Sequence, residues 1–206
     1  MANFKMHISA GGIWGGIILL VGIFSGYLGV TQSIVAGTLA VVGSALPDID
    51  SDTAKPRRIL FGILGIMIPV LLWRHIASVN STNEDFFCYM LIAFAIFQYG
   101  FFALFGKITV HRGIYHSIPA ALITGELFFL IFAGSEMGVR LIFAIAGGGG
   151  YLVHLILDEI YSVDLTGLHI KKSFGSAMAL WSDSKIATLL AYLILTTLTM
   201  ACVLTV

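Results

Sequence analysis

The sequence predicts an all-α, polytopic integral membrane protein of about seven transmembrane helices. Three observations carry that reading. Hydrophobic residues make up 58% of the chain and charged residues 11%, with a mean hydropathy of +0.98, against roughly 25% charged residues in a soluble domain. The apolar residues fall into seven long runs, most of them able to span or nearly span a hydrocarbon core that needs roughly 20 helical residues. The polar residues between the runs are few and cluster by type. With 206 residues the runs leave no room for a separate soluble domain, so a single membrane domain over 1–206 is expected. Lys plus Arg and Asp plus Glu both number 11, and without a basic excess a nucleic-acid partner is not expected. Cys88 and Cys202 both lie in apolar runs, where packing is a better account of them than a disulfide or a thiolate metal site.

Taken in order, the first run extends from Ile8 to Val30. It is too long for the apolar part of a signal peptide and reads as a span. Its glycines Gly11, Gly12, Gly15, Gly16 and Gly22 include the small-xxx-small spacing that lets a second helix approach closely. The second run, Thr31 to Leu46, is short at 16 residues, about 24 Å at ~1.5 Å per residue. It stops at Leu46-Pro47-Asp48-Ile49-Asp50-Ser51-Asp52, where proline breaks the apolar pattern and three carboxylates alternate. Such a segment is either a solvated turn or a place where two carboxylates converge on a cation. The third run covers Ile59 to Trp73 and the fourth Phe86 to Phe105.

Between the fourth and fifth runs stands His111-Arg112-Gly113-Ile114-Tyr115-His116-Ser117. Histidines five apart cannot share one face of a regular helix, so a turn at Gly113 is expected to bring both rings toward one point. The fifth run, Ile118 to Ala133, carries Glu126 in mid-span. An acid there costs roughly 2.5–3.5 kcal/mol on insertion scales unless it faces the bundle, so a polar partner on another helix is expected, with Gln98 a candidate. The sixth run, Val139 to about Ile160, includes Gly147 to Gly150 and then places His154 and Asp158 four residues apart. On a helix that spacing puts both on one face a turn apart, as metal ligands or as a buried pair bonded only to each other. Tyr161 to Asp183 is a connector, and the seventh run begins at Lys185.

Counting spans gathers these motifs. Seven runs alternate sides, so His7 at the start of the first, the Asp48 loop after the second, the His111 loop after the fourth, and His154 with Asp158 at the end of the sixth fall on one face. That face also carries Lys5, Lys55, Arg57, Arg58, Lys107, Arg112, Lys171, Lys172 and Lys185, leaving only Arg74 and Arg140 near the other. By the positive-inside rule the shared face, and the N-terminus with it, is cytoplasmic.

The ordered set of His7, Leu46-Pro47-Asp48-Ile49-Asp50, His111-Arg112-Gly113 with His116-Ser117, and Gly150-Tyr151-Leu152 with His154 and Asp158 resembles the YdjM family. Those are bacterial inner-membrane proteins read as metal-dependent hydrolases, associated with LexA and the SOS response, with phospholipase-type activity suggested. The resemblance runs from His7 to Asp158 and implies that these motifs supply metal ligands. Two places depart from the pattern: Tyr115 stands where the family has threonine, and Leu168 to Trp181 lacks its proline-flanked apolar turn.

The metal expected by that resemblance would draw on His7, Asp48, Asp50, His111, His116, His154 and Asp158. Imidazoles mixed with carboxylates favour zinc first and manganese second over an all-oxygen magnesium or calcium cage. So many donors exceed what one four-coordinate ion takes, which implies two ions or one ion whose ligands are held by the remaining residues. In the hydrolase reading Arg112 clamps a phosphate oxygen, Ser117 orients a ligand, and the substrate is a lipid or lipid-linked phosphoester at headgroup depth in the bilayer. Two other classes use the same residues differently. A non-catalytic stress-response component would hold metal in a closed four-ligand shell. A metal-cation transporter would need a polar path, whereas the candidate ligands gather at one surface.

Overall fold

A computed structural model describes residues 4–50, 54–77, 81–101, 114–164, 169–170 and 178–206. They form seven α-helices: α1 (Phe4–Ser25), α2 (Val30–Ala45), α3 (Ala54–Ile76), α4 (Asn83–Ala95), α5 (Ile118–Ile131), α6 (Met137–Ile160) and α7 (Lys185–Leu204). A 3₁₀ turn, Leu46–Asp50, follows α2, and the pair β1 (Val163–Asp164) and β2 (His169–Ile170) is antiparallel. The helices fall on the seven apolar runs. Among the described residues, four segments are long and apolar enough to cross a membrane: Phe4–Ser25, Val30–Asp48, Met137–Ile160 and Lys185–Leu204. Phe61–Trp73 and Ile118–Ile131 are shorter apolar helices; the 14 residues of α5 reach about 21 Å at ~1.5 Å each, less than a ~30 Å hydrocarbon core.

The first helix departs from the run that announced it. The apolar run continues to Val30, yet α1 ends at Ser25 because Gly26 adopts φ +68°, a left-handed conformation that glycine enters without a Cβ penalty. The chain turns there, and α2 starts at Val30.

The chain gathers into two compact units, residues 1–47 with 112–206, and residues 48–111. In the first, α1 packs on α2 and α6, α2 on α6, and α5 on both α6 and α7. Backbone meets backbone at the crossings. A Cβ on Gly43 would overlap the Gly147 carbonyl, and one on Gly15 would lie 2.5 Å from the Gly37 carbonyl. Glycine at these places is therefore a condition of α2 lying against α1 and α6, as small residues are wherever membrane helices touch closely. Arg140, buried near the start of α6, donates to the Phe129 carbonyl (3.2 Å), the Thr205 carbonyl (2.8 Å) and the Thr205 hydroxyl (2.6 Å), and its guanidinium lies 3.8 Å from the Phe129 ring centre. These bonds satisfy carbonyls at the C-terminal ends of α5 and α7 that have no partner within their own helices. Glu126 finds a partner in α7: the Thr199 hydroxyl donates to Oε1 at 2.6 Å. The helix contact anticipated for this acid is present, with threonine in the place of Gln98.

The second unit contains α3 and α4. Thr82 caps α4 through a reciprocal pair with Asp85, its own N–H reaching Oδ2 at 2.8 Å while its hydroxyl accepts from the Asp85 N–H at 3.3 Å. The helix continues into a π-helical stretch, Ile96–Phe101. Trp73 of α3 packs edge-on to Phe86, with ring centres 5.2 Å apart.

Candidate metal centre

Four of the seven expected metal ligands come together in the first unit. His7 lies in the first turn of α1, His116 just ahead of α5, and His154 and Asp158 in the last two turns of α6. All four are buried, at 2%, 3%, 0% and 3% exposure respectively. The α-helical spacing of four does what it was expected to do for His154 and Asp158, whose Nε2 and Oδ2 are 3.8 Å apart. His7 reaches the other carboxylate oxygen, Nε2 to Oδ1 at 3.3 Å, and stacks its ring on that of His154 with centres 3.6 Å apart and planes 12° from parallel. His116 stands slightly further out, with Nε2 3.9 Å from Asp158 Oδ2 and its ring edge-on to His154 at 5.7 Å.

The donor atoms suit a metal ion. His7, His154 and Asp158 each offer one ligand atom, all within 4.8 Å of one another. A tetrahedral ion with bonds of about 2.0–2.1 Å would hold its ligands roughly 3.4 Å apart; His7 Nε2 stands 3.3 Å from Asp158 Oδ1 and His154 Nε2 3.8 Å from Asp158 Oδ2, a spread that small side-chain rotations would close on one ion. His154 Nδ1 lies 2.7 Å from the Ser44 carbonyl. A carbonyl only accepts, so Nδ1 carries the proton and the Nε2 lone pair is left for the carboxylate side of the ring, the arrangement usual for a histidine ligand. Neither Asp158 oxygen nor His7 Nδ1 has a hydrogen bond of good geometry among the described residues. A buried carboxyl without such bonds is costly unless something cationic meets it.

Local structure explains the position of His116. Ser117 is the N-cap of α5: its hydroxyl accepts from the Ala120 N–H at 3.3 Å and donates to the Ile114 carbonyl. The turn is also tied outward, since the Ile118 N–H donates to the Ala179 carbonyl at 3.1 Å, and inward, since the buried Tyr151 hydroxyl donates to the Tyr115 carbonyl. Ser117, expected to orient a ligand, thus shapes the turn that carries one. Asp48 and Asp50 lie on the 3₁₀ turn Leu46–Asp50 and belong to the second unit, which begins at Asp48; Asp48 is half-buried. His111 and Arg112 lie outside the described residues.

Two participants had no role assigned from the sequence. The Ser44 carbonyl is anonymous there, as any backbone oxygen is. Tyr151 could have been found, because Tyr151, His154 and Asp158 follow i, i+3, i+7 spacing and share one helix face.

Helices of this length and apolarity, with a buried His–Asp group where the ends of α1, α2, α5 and α6 meet, define a helical membrane protein with a candidate metal centre. Over residues 1–204 the sequence matches the family described as YdjM inner membrane protein, and the chain belongs to that family. No curated protein and no solved structure matches the chain.

Proposed function

We propose that the protein is a metal-dependent hydrolase of the bacterial inner membrane, acting on a phosphoester of a lipid or lipid-linked substrate at the cytoplasmic headgroup level. The observation that carries this reading is the buried group of His7, His154 and Asp158, with His116 beside it. Three protein ligands with one coordination position left over is the donor count of catalytic zinc, and the mixture of imidazole and carboxylate also accepts manganese. When bound, such an ion supplies Lewis acidity toward a phosphoryl oxygen and makes water a better nucleophile. The chain's own part is to hold those three ligands, to keep the donor group away from bulk water by burial, and to place His116 Nε2 where a proton can be accepted. Arg112 is assigned to the phosphate oxygens, where a planar fork of donors meets charge as it builds. Nine of eleven Lys and Arg on one side of the counted spans put this site and the N-terminus in the cytoplasm.

One observation favours a second reading. His116, as buried as the other three and 3.9 Å from the carboxylate, would close a four-ligand shell and make the metal structural. Turnover separates the two. Purified protein loaded with zinc or manganese, in vesicles of phosphatidylethanolamine and phosphatidylglycerol, should release phosphoester products. Arg112→Ala should keep its metal and lose about 10²–10³ in rate, the usual cost of one such donor. Metal-loaded protein that cleaves none of the phospholipids would favour the structural reading, and full activity in Arg112→Ala would withdraw the phosphate clamp.

A further inference from the structure

We infer that Tyr151 is the positioning residue of this centre: its hydroxyl, by donating to the Tyr115 carbonyl, sets where His116 stands relative to Asp158. The inference rests on the metal-centre reading above and adds to it a residue outside the ligand set. Tyr151 is buried, on the same helix face as His154 and Asp158. Its ring packs with Ala121 and Leu155, so α6 and α5 are already in contact beneath it. The hydroxyl passes beyond that contact to the carbonyl immediately before His116.

The geometry gives this bond a particular task. His7, His154 and Asp158 are mounted on regular helices, α1 and α6, whose backbones fix them. His116 is mounted on a turn, two residues ahead of the first residue of α5. Ser117 also ties the turn to Ile114 and Ala120, and Ile118 ties it to Ala179 of the connector. The Tyr151 bond ties it to the helix that carries two of the ligands. The separation of His116 Nε2 from Asp158 Oδ2, 3.9 Å, is therefore referred to α6 through the tyrosine. A phenylalanine ring would keep the packing with Ala121 and Leu155 and remove the hydroxyl that donates to the Tyr115 carbonyl, which makes Tyr151→Phe the direct perturbation.

Two measurements on the full chain in detergent test the inference. In the metal-free protein, amide hydrogen exchange over residues 114–118 should be faster in Tyr151→Phe than in wild type by about two- to tenfold, the range that losing one net hydrogen bond allows. Exchange in the middle of α6 should not change. In the cobalt-loaded protein, Tyr151→Phe should bind cobalt in the wild-type ratio, because His7, His154 and Asp158 remain. Its visible absorption should move toward that of His116→Ala, which a residue serving only the packing of α5 on α6 would not cause. Wild-type exchange at residues 114–118, or a wild-type cobalt spectrum in Tyr151→Phe while His116→Ala differs, would overturn the inference. So would identical spectra in all three proteins, since His116 would then not report on the metal. A wild-type chain that takes up no cobalt would overturn the metal-centre reading itself, and the exchange comparison would still decide whether the tyrosine holds the turn.

Discussion

Replacing Asp158 by asparagine should weaken metal binding about 10²–10³-fold without weakening the metal-free fold. Asp158 is the residue on which the other three converge, with imidazole nitrogens at 3.3, 3.8 and 3.9 Å from its oxygens. Structural zinc in small four-ligand peptides is held by an apparent ~10–16 kcal/mol. Shared over four ligands, that is about 2.5–4 kcal/mol each, or roughly 10²–10³-fold in affinity at ~1.4 kcal/mol per decade. The amide keeps the shape of the side chain but is a far poorer ligand than a carboxylate, so a loss of this size is expected for Asp158→Asn. The effect on the empty protein runs the other way. Asp158 is 3% exposed and neither oxygen is hydrogen-bonded with good geometry among the described residues, so a neutral group removes a desolvation cost. Thermal unfolding of metal-free Asp158→Asn should be no lower than that of metal-free wild type, while a fixed zinc concentration should raise the transition of wild type further than that of the variant. Competition against a chromophoric chelator in detergent measures the affinity. Wild-type zinc affinity in Asp158→Asn would refute the assignment of this carboxyl as a ligand.

Other parts of the fold make separate predictions. Gly43→Val puts a side chain into the Gly147 carbonyl, and because the obstacle is backbone, α2 and α6 must part; unfolding in detergent should show a loss of about 1–3 kcal/mol or more together with weaker zinc binding, as Ser44 moves from His154. Gly12→Ala, which meets nothing within 4 Å, should change neither quantity. Arg140→Leu strips donors from Phe129 and Thr205 and should speed hydrogen exchange at residues 200–206, while zinc affinity stays at the wild-type value because His154 lies about 21 Å further along α6. Reporter fusions at Val206 should be active on the periplasmic side; activity confined to the cytoplasm would break the seven-span count.

The helices were legible because their apolar runs are long and because glycine, proline and charge punctuate them. Their ends were less so. Tyr27 and Leu28 are as apolar as a helix interior, and only the left-handed φ of Gly26 shows that the chain turns before them. At the site, the spacing of His154 and Asp158 was sufficient to put them on one face, and alternation of spans was sufficient to bring His7 and His116 to the same end. No rule of spacing names the Ser44 carbonyl as the partner of His154, because every residue has one. Glu126 shows the same limit. Its position in mid-span demanded a partner on another helix, but α7 offers several hydroxyls at helical intervals, and which one meets the carboxyl depends on how far α7 is slid along α5.

Metal content tests the central claim most directly. Protein purified in mild detergent without chelator, washed free of loosely held ions and analysed by mass spectrometry of the elements, should retain at least one zinc or manganese per chain, and His154→Ala should retain none. Wild-type protein free of transition metal, and unable to take up zinc or manganese when either is supplied, would contradict the account and leave His7, His116, His154 and Asp158 as a buried polar cluster that serves only to join α1, α5 and α6.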